Sequence, residues 1–455
     1  MRRARIYRSS PRGRVLQQKD DWKQRVDEAI ERRASEIAAL GEAFLAIPEM
    51  GFKEIRTAAL VADTFQSLGL SCETGLALTG VIANLPGRSC RMKVAVMGEL
   101  DAIIVPSHPC ADPHTGAAHA CGHNASLAAM IGTAMGLNDS GVMALLDGDV
   151  SLMAVPAEEL VELEYRLKLR REGKLFFLAG KQEFIRLGML DGVDAVLMFH
   201  LMETSPKAKV LIGATHNGVL AKYIRYRGRE SHAGGAPHFG INALNAALIG
   251  LTAIHAQRET FRDEDCIRVH PIITRGGDLV NVVPADVRIE TFIRGRTLEA
   301  IGDANLKVNR ALRAGAMAIG AGIEIQDLPG YLPSVADGRL DGLFAANMAA
   351  LLGEGSIAQA GHLTGSTDIG DVSHLMPALH AYIRAGKGNL HTEAFSIVEK
   401  RLAYVETAKG LAMTVIDLLW DGAREGRRLR KAYRPKFTKR TYLKAMTKMS
   451  PEPRA

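Results

Sequence analysis

The sequence predicts an α/β fold in which helices cover a largely parallel sheet and a smaller α+β domain is inserted into the chain. Three observations carry this prediction: short apolar runs typical of buried strands, helical patterns between those runs, and a change of pattern in the middle of the chain. The 455 residues are enough for about two or three domains. The hydrophobic content of 47% excludes a mostly disordered chain.

The first part of the chain alternates between helical and strand-like patterns. An early helix is predicted from apolar residues that share one helical face: Val26, Ile30, Ile37, Leu40 and Phe44. The clearest buried strands, and the clearest helix between them, are Lys93–Met97, Val150–Val155, Ala195–Phe199 and Ser126–Leu137. Because parallel strands end at the same edge of a sheet, polar residues that follow these strands should lie close together.

The middle of the chain, from about Gly218, has a different order of elements. One strand, one helix, two strands and a second helix are predicted there: Leu220–Tyr226, Asn242–Gln257, Ile267–Thr274, Val287–Ile293 and Leu298–Ala318. This β-α-β-β-α order is typical of a ferredoxin-like α+β domain. We place the inserted domain at 217–330 and a discontinuous larger domain at 20–216 plus 331–423, whose α/β pattern resumes after the insertion.

Basic residues are concentrated at the two ends of the chain. Residues 1–19 hold seven Lys and Arg and no acid, and residues 424–455 have a net charge of +10. Since the whole chain has a net charge of +7, residues 20–423 are acidic, with a net charge of −10. We therefore predict a basic N-terminal arm and a basic C-terminal tail. Such arms can bind nucleic acid or anionic membranes, although a solvated segment is the favoured interpretation.

The expected location of the protein follows from its cysteines and its hydropathy pattern. No apolar run reaches the 18 residues that suggest a membrane span. Five cysteines are too few and too scattered for a disulfide framework, which favours a reducing compartment and a cytoplasmic protein. The Arg-rich N-terminal arm lacks the apolar region of a secretory signal. Its composition overlaps with that of a transit segment. A start codon assigned too far upstream would produce the same composition.

Four polar clusters follow apolar runs and contain metal-ligand residue types: His119–Asn124, Pro156–Glu159, Phe199–Leu201 and Leu390–Thr392. A thiolate, imidazoles and a carboxylate suit Zn²⁺ or a similar transition metal. Of two adjacent glutamates, one could bind metal and the other could act as a general base. Each cluster alone is more often structural, so the hypothesis depends on the whole set.

The motifs resemble those of the metal-dependent amidohydrolase and peptidase family that includes aminoacylase, glutamate carboxypeptidase and hippurate hydrolase. Within it they are most similar to the branch with a Cys-Gly-His metal motif, which contains auxin-conjugate and aminobenzoyl-glutamate hydrolase-like members. The resemblance covers about residues 25–420. Besides the four clusters, its motifs are Ile47–Glu54, Gly98–Ala102, Ser231–Pro237, Gly277–Pro284, Ile293–Gly295 and Gly365–Ser373.

The resemblance implies a hydrolase that cleaves the amide bond of an N-acyl amino acid or a dipeptide-like substrate with a metal-activated water. It implies two divalent metal ions, zinc or manganese, with the ligands Cys121, His123, Glu159, His200 and His391. Glu158 would be the general base, and Asp101 would orient a ligand histidine.

In such relatives the inserted domain is a lid and a dimerisation domain, so the resemblance implies a homodimer. His232 matches a histidine that stabilises the oxyanion, in several members from the partner subunit. Asn281 and Arg294 match residues that hold the carboxylate or amide end of the substrate. For these three, a surface position is the alternative interpretation. No role is assigned to Asp368, which lies in another matching motif.

Two departures from the family pattern bear on the substrate. Asn124 stands where most relatives with the Cys-Gly-His motif have Asp, and it indicates the aminobenzoyl-glutamate hydrolase-like members. The charged segment Leu160–Lys174 follows the two glutamates where many relatives have glycines. Its pairs Glu162–Arg166 and Glu164–Lys168 have the spacing of helical ion pairs, which predicts a helix on the rim of the site that narrows the pocket.

Two other functions can be compared with the hydrolase. A metal-containing binding protein would use the basic arms to recruit nucleic acid, a membrane or a protein partner, and it stays as the alternative. A zinc nucleobase deaminase is excluded because the sequence lacks His-x-Glu followed by Pro-Cys-x-x-Cys.

Overall fold

The structure is a computed structural model in which residues 11–449 are described. Its helices are α1 (Pro11–Arg32), α2 (Ala34–Leu45), α3 (Ile55–Ser67), α4 (His123–Asp139), α5 (Leu163–Arg171), α6 (Gly180–Leu187), α7 (Ala243–Ala256), α8 (Leu298–Ile319), α9 (Gly338–Leu352), α10 (Ile369–Ser373), α11 (Thr407–Ala432) and α12 (Lys439–Met449). Its strands are β1 (Cys72–Leu76), β2 (Gly80–Leu85), β3 (Lys93–Glu99), β4 (Ile103–Ile104), β5 (Ala117–Ala118), β6 (Asp149–Val155), β7 (Ala195–Glu203), β8 (Val210–Ile212), β9 (Thr215–His216), β10 (Gly218–Arg227), β11 (Arg268–Arg275), β12 (Asp286–Gly295), β13 (Gly322–Pro329), β14 (Ile357–Gln359), β15 (His362–Leu363), β16 (Ala378–Lys387) and β17 (Ser396–Ile397).

A large mixed sheet forms the centre of the protein. Its strands follow the order β1-β2-β6-β3-β7-β16-β8-β14, with β17 paired to β16. The four central neighbours β6, β3, β7 and β16 run parallel to one another, and antiparallel strands complete the edges. Because these four strands share one direction, their carboxyl ends lie along one edge of the sheet. The predicted helix-covered, largely parallel sheet is confirmed.

Helix α4 provides much of the packing on one face of this sheet. Every residue from His123 to Leu137 is buried, as expected for a helix enclosed on all sides. Its neighbours are β3 and β7 of the sheet and the helices α1, α2 and α11. Val26, Ile30, Ile37 and Phe44 from the predicted early helix are buried in the same core, although the chain divides that segment into α1 and α2.

A small antiparallel sheet follows in the middle of the chain, with the strand order β11-β12-β10-β13. Helices α7 and α8 cover it, and a separate apolar core lies between them and the strands. The predicted strand, helix, two strands and helix are all present within a few residues of their predicted bounds. Strand β13, which completes the sheet beside β10, was not predicted from the sequence. The domain boundaries proposed at 217 and 330 stay a prediction.

The predicted basic C-terminal tail contains two helical segments up to Met449. Helix α11 continues to Ala432, and α12 follows it. Tyr442 and Met446 of α12 are buried in a core that also contains Phe184 and Val372. Residues 439–449 therefore differ from the expected solvated tail, because an apolar face of α12 is packed against the rest of the chain. The predicted N-terminal arm lies outside the described residues up to position 10.

The charged segment after the two glutamates forms helix α5, but its predicted ion pairs are wrong. Glu162 pairs with Lys53 at 2.7 Å, and Glu164 pairs with Arg288 at 2.5 Å. Arg166 is buried and takes part in no ion pair among residues 11–449. The i, i+4 spacing identified a helix correctly but could not show which face would be buried.

The five cysteines are free thiols in the structure. Among the described helices, none is both long and apolar enough to cross a membrane.

Candidate metal centre

The polar clusters of the sequence meet at the carboxyl edge of the large sheet. Glu99 ends β3, the pair Glu158–Glu159 follows β6, and His391 follows β16. His200 lies within β7, between β3 and β16. Residues that are far apart in the chain are therefore brought together by four adjacent parallel strands, as the sequence predicted.

The Cys-Gly-His motif is a tight turn that begins helix α4 at His123. Gly122 has a φ of 84°, a left-handed conformation that residues with a side chain rarely adopt. A Cβ atom at this position would lie 2.7 Å from Cδ1 of Leu201, so the space is also closed to a side chain. Glycine is therefore needed here for the turn that places Cys121 and His123 beside β7.

The thiol of Cys121 lies at the centre of the cluster. Its Sγ atom is 3.2 Å from Nε2 of His200 and 3.2 Å from Nε2 of His391. The same nitrogen of His391 is 2.8 Å from Oε1 of Glu159. The sulfur atom of Cys121 therefore contacts two groups of possible metal ligands. One contains His200, and the other contains His391 with Glu159.

The buried His123 and the half-buried His200 present the same ring nitrogen to the cluster. Nδ1 of His123 donates to the carbonyl oxygen of Asp101 at 2.9 Å, and Nδ1 of His200 donates to that of Leu201 at 2.8 Å. A carbonyl oxygen only accepts, so Nδ1 carries the proton in both rings. The Nε2 atoms are then free to bind a metal ion, which is the usual arrangement of a ligand histidine.

A third group of side chains surrounds Nε2 of His123. This atom lies 3.2 Å from Oε2 of Glu99 and 4.0 Å from Oε2 of Glu158. Neither Nε2 of His123 nor Oε2 of Glu99 has a hydrogen-bond partner among the described residues, although both atoms are buried. Unpaired electron-pair donors in a buried site are costly unless a cation binds them.

The side chains present fit divalent metal ions. Three sets have ligand atoms within 4.8 Å of one another: Cys121 with His123 and His200, Cys121 with Glu159 and His391, and Glu99 with His123 and Glu158. Sulfur, imidazole nitrogen and carboxylate oxygen together form a donor set suited to zinc and similar metals.

Comparison with known proteins identifies the family. A profile of the peptidase family M20/M25/M40 matches residues 95–413, which include most strands of the large sheet and all strands of the small one. The chain belongs to this family. The resemblance inferred from the motifs is therefore confirmed, and this M20 protein is a metal-dependent hydrolase of amide bonds.

Two curated relatives match most of the M20 chain. The Xaa-Arg dipeptidase of Mus musculus is 28% identical over 420 residues, which cover 88% of this chain and 90% of the relative. The N-acetylcysteine deacetylase of Bacillus subtilis (strain 168) is 27% identical over 370 residues, with coverages of 78% and 90%.

The fold of the M20 chain is similar to that of solved family members. The YXEP protein of Bacillus subtilis, described as a dinuclear metal-binding peptidase, has a TM-score of 0.62 at 22% identity. The match covers 86% of this chain and 99% of that one.

The two adjacent glutamates of this M20 hydrolase have different electrostatic environments. Burial and the negative charge of Glu99 raise the pKa of Glu158 well above its usual range. Burial alone would also raise the pKa of Glu159, but the neighbouring His391 lowers it below the usual range. Such a separation is typical of paired carboxylates with different roles.

The pKa values of the Cys121 thiol and of its neighbour His391 are also shifted. Burial disfavours the Cys121 thiolate, but His200 and His123 together outweigh burial and lower the pKa of the thiol to about 6. Glu159 raises the pKa of His391 to about 11. A thiol that readily loses its proton is prepared for metal binding.

Asp101, to which the resemblance assigns the orientation of a ligand histidine, lies against His123. Its Oδ1 is 3.2 Å from Nδ1 of His123, and its Oδ2 accepts the backbone N–H of Glu159 at 2.8 Å. One buried carboxylate thus contacts both the histidine that begins α4 and the loop that carries the glutamates.

Three predicted residues lie outside the cluster. His232 is exposed, and its Nδ1 accepts the backbone N–H groups of Gly234 and Gly235. Asn281 is exposed, and Arg294 lies over the ring of Phe292 at 5.3 Å. Among the contacts described for residues 11–449, none joins these three side chains to the metal-ligand cluster.

The sequence analysis missed two charged residues of the site. Glu99 stands two residues before Asp101 in a matching motif, and this position at a strand end was the available signal. Lys181 gave no signal, because a lysine in a helical pattern is usually solvated. Its buried Nζ donates to Glu99 at 2.6 Å and also to Asp368, the motif residue without an assigned role.

Proposed function

We propose that this M20 hydrolase holds two divalent metal ions, zinc or manganese, and cleaves the amide bond of an N-acyl amino acid or a dipeptide-like substrate. The observation that carries the proposal is the position of Cys121. Its sulfur belongs to two ligand sets at once, one with His123 and His200 and the other with Glu159 and His391. A shared ligand between two sets is what a pair of adjacent metal ions requires.

The five ligand side chains are Cys121, His123, Glu159, His200 and His391. When bound, the ions polarise the scissile carbonyl group and lower the pKa of water. The protein holds the ligands by the hydrogen bonds at Nδ1 of His123 and His200 and by the contact of Asp101 with His123.

Glu158 is the proposed general base. Its raised pKa and its position 4.0 Å from Nε2 of His123 favour a carboxylate that can take up a proton during the reaction. It would accept a proton from the attacking water and return it to the nitrogen of the leaving amine. Glu159, with its lowered pKa, stays ionised and suits a ligand role.

The substrate class is supported by the relatives. One is an Xaa-Arg dipeptidase and another is an N-acetylcysteine deacetylase, and both names describe an amide bond next to an amino acid. We assign the recognition of the substrate carboxylate or amide end to Asn281 and Arg294, since a guanidinium can bind a carboxylate through two parallel hydrogen bonds.

Dimerisation through the small sheet is the proposed assembly, with His232 acting on the partner subunit's substrate. Strand β11 is an edge of that sheet, and its Ile272 is 61% exposed. An exposed apolar edge strand is suited to pairing with a second copy. The exposed position of His232, away from the ligands of its own chain, is consistent with action across the interface.

The alternative, a binding protein with basic arms, is less well supported. The apolar face of α12 is already packed within the chain, so this part of the C-terminal segment is an internal structural element.

The test of the proposal is metal stoichiometry followed by a substrate panel. We expect elemental analysis of protein purified without chelator, or reconstituted with Mn²⁺ or Zn²⁺, to give about two metal ions per chain. The loaded protein should hydrolyse members of a panel of acylated amino acids, aminobenzoyl-glutamate and dipeptides with a C-terminal arginine. A chain that retains no metal, or one that hydrolyses none of the panel, would exclude the proposal.

The role of His232 has a separate test. Mixed dimers of a Glu158→Gln subunit and a His232→Ala subunit should recover part of the activity, because one of the two sites is then complete. Heterodimers of proven composition without any recovery would place the action of His232 within one subunit.

A further inference from the structure

Helix α5 carries an arginine that is buried beside the candidate metal centre. The side chain of Arg166 is 0% exposed, and its described hydrogen bonds all go to backbone carbonyl groups. It donates to Leu178 at 2.5 Å, to Ala157 at 3.5 Å and to Glu159. Two of these carbonyl groups belong to the loop that contains Glu158 and Glu159. A buried cation without an ionised partner is costly, so a specific role is expected of it.

The space for this guanidinium is provided by a motif near the start of the chain. A Cβ atom at Gly51 would lie 2.6 Å from Nη2 of Arg166 and 2.9 Å from Cβ of Ala157. The ring of Phe52 lies 5.2 Å from the guanidinium carbon, within the range of a cation–π contact. The arginine is therefore enclosed between the loop of the two glutamates and the motif Ile47–Glu54.

Side chains from other parts of the chain bind several backbone polar groups in the loop of the two glutamates. Glu54 accepts the N–H of Ala157 at 2.8 Å, and Asp101 accepts the N–H of Glu159. The hydroxyl of Tyr331 donates to the carbonyl oxygen of Glu158. The carbonyl oxygen of Glu159 accepts from Arg166 and, at 2.9 Å, from the backbone N–H of Val161. With Arg166 removed, this carbonyl would keep a donor from its own loop but lose its hydrogen bond to helix α5.

The loop also has a conformation that needs support. Ala157 has a φ of 54°, which is unfavourable for a residue with a side chain. Such conformations persist where surrounding contacts hold them, and they are frequent at functional sites. The carboxylate of Glu54 accepts the N–H of Ala157, and the guanidinium of Arg166 donates to its carbonyl oxygen. These two hydrogen bonds support the conformation of Ala157.

Two ion pairs hold helix α5 at its N-terminal end. Its flanking Glu162 pairs with Lys53, and Glu164 pairs with Arg288 of β12. Leu163 and Leu167 are buried in an apolar cluster shared with the small sheet. Arg166 is therefore held by a rigid support, which a positioning residue requires.

We infer that Arg166 is a positioning residue that fixes the loop of Glu158 and Glu159, so that their carboxylates meet the metal ligands and the substrate. The inference rests on the proposed function of these two glutamates. It also gives the charged segment Leu160–Lys174 a role, because α5 supports the metal centre from inside the protein. The sequence pattern had predicted a helix on the rim that narrows the substrate pocket.

Metal affinity tests this inference independently of catalysis. Arg166→Met keeps the bulk of the side chain and removes all donors, and Arg171→Met is the matched control, since Arg171 is an exposed arginine of the same helix. We expect Arg166→Met to weaken the binding of Mn²⁺ by about 10- to 100-fold, as is typical when a residue that orients ligands is removed. The control should bind Mn²⁺ with wild-type affinity.

A merely structural role would give a different result. Arg166→Met would then lower the thermal stability of the metal-free protein but would bind Mn²⁺ like the wild type, and this outcome would overturn the inference. If Arg166→Met fails to fold, Arg166→Gln is tested by the same Mn²⁺ titration. The glutamine side chain retains one pair of donors. Weaker binding supports positioning, and wild-type affinity contradicts it.

The proposed function and this inference can fail separately. A wild-type protein that binds Mn²⁺ but hydrolyses no amide of the panel would contradict the proposed function, whereas the affinity of the Arg166 variants would still be measurable. Where activity is found, we expect Arg166→Met to reduce kcat more than it changes KM, since the guanidinium contacts the loop and not the substrate.

Discussion

Nε2 of His391 lies 2.8 Å from a carboxylate oxygen of Glu159, and this contact separates Glu159 electrostatically from its neighbour in sequence. The histidine lowers the pKa of Glu159, whereas burial and Glu99 raise the pKa of Glu158. Glu158 therefore favours its protonated form, and Glu159 favours its ionised form. The first prediction follows from this difference.

Replacing Glu158 with Gln should abolish most of the activity and leave the metal content unchanged. Gln has the same shape but cannot take a proton, so we expect kcat to fall by about 10²- to 10⁴-fold. Steady-state kinetics and elemental analysis on the same preparation check both parts. The exposed Glu172 offers a control, Glu172→Gln, with wild-type activity. Activity of Glu158→Gln within a factor of ten of the wild type would exclude Glu158 as the base.

Replacing Cys121 with Ala should lower the number of bound metal ions, because its sulfur belongs to both ligand sets. The exposed Cys110 is a matched control, and Cys110→Ala should keep the wild-type stoichiometry. Elemental analysis after reconstitution measures the difference. An unchanged metal content in Cys121→Ala would reject the assignment of this thiol as a ligand.

Replacing Lys181 with Met should destabilise the fold strongly. The change leaves two buried carboxylates, Glu99 and Asp368, without their cation, and removal of one partner of a buried pair costs about 3–5 kcal/mol. Urea unfolding measures the loss. The exposed Lys168 on α5 provides the control Lys168→Met, for which we expect a change below about 1 kcal/mol. Equal stabilities of the two variants would contradict the prediction.

Asp371 should make stability depend on pH. Burial raises the pKa of Asp371 to about 8, and the hydroxyl of Tyr442 donates to it at 2.7 Å. The unfolded chain loses this proton near about pH 4, so the native state binds more protons between about pH 4 and pH 8. Stability should therefore fall as the pH rises through this window.

Asp371→Asn should remove that dependence, since the amide keeps an acceptor for Tyr442 but does not ionise. We expect the variant to gain at least about 1 kcal/mol relative to the wild type between pH 5 and pH 8. Urea unfolding of both proteins at the two pH values checks this. Parallel pH profiles would show that Asp371 does not titrate as described.

Most of the fold could be predicted from the sequence, because the spacing of apolar residues indicates which of them are buried. The strands β3, β6 and β7 were predicted from short apolar runs, and their shared edge placed His200 and Glu159 near each other. Strand β13 was missed although Ile323 and Ile325 alternate with polar residues, a pattern typical of a half-buried strand. The segment is short, and its pairing with β10 is seen only in the structure.

Residues of the site that stand in a recognisable motif could be predicted from the sequence. Residues whose burial depends on packing could not. Cys121 and Glu158 stand in recognisable motifs. Arg166 and Lys181 are basic residues in helices, and charge alone predicts that such residues face solvent. Only the folded structure shows that both are enclosed, one by carbonyl groups and the other by carboxylates.

The close contact between Gly51 and the guanidinium of Arg166 has a consequence for other members of the family. A side chain at position 51 and an arginine at position 166 would occupy the same volume, so the two positions should change together during evolution. Homologues that lack the inserted arginine are free to carry alanine or larger residues at position 51, and homologues that retain it should be restricted to glycine there.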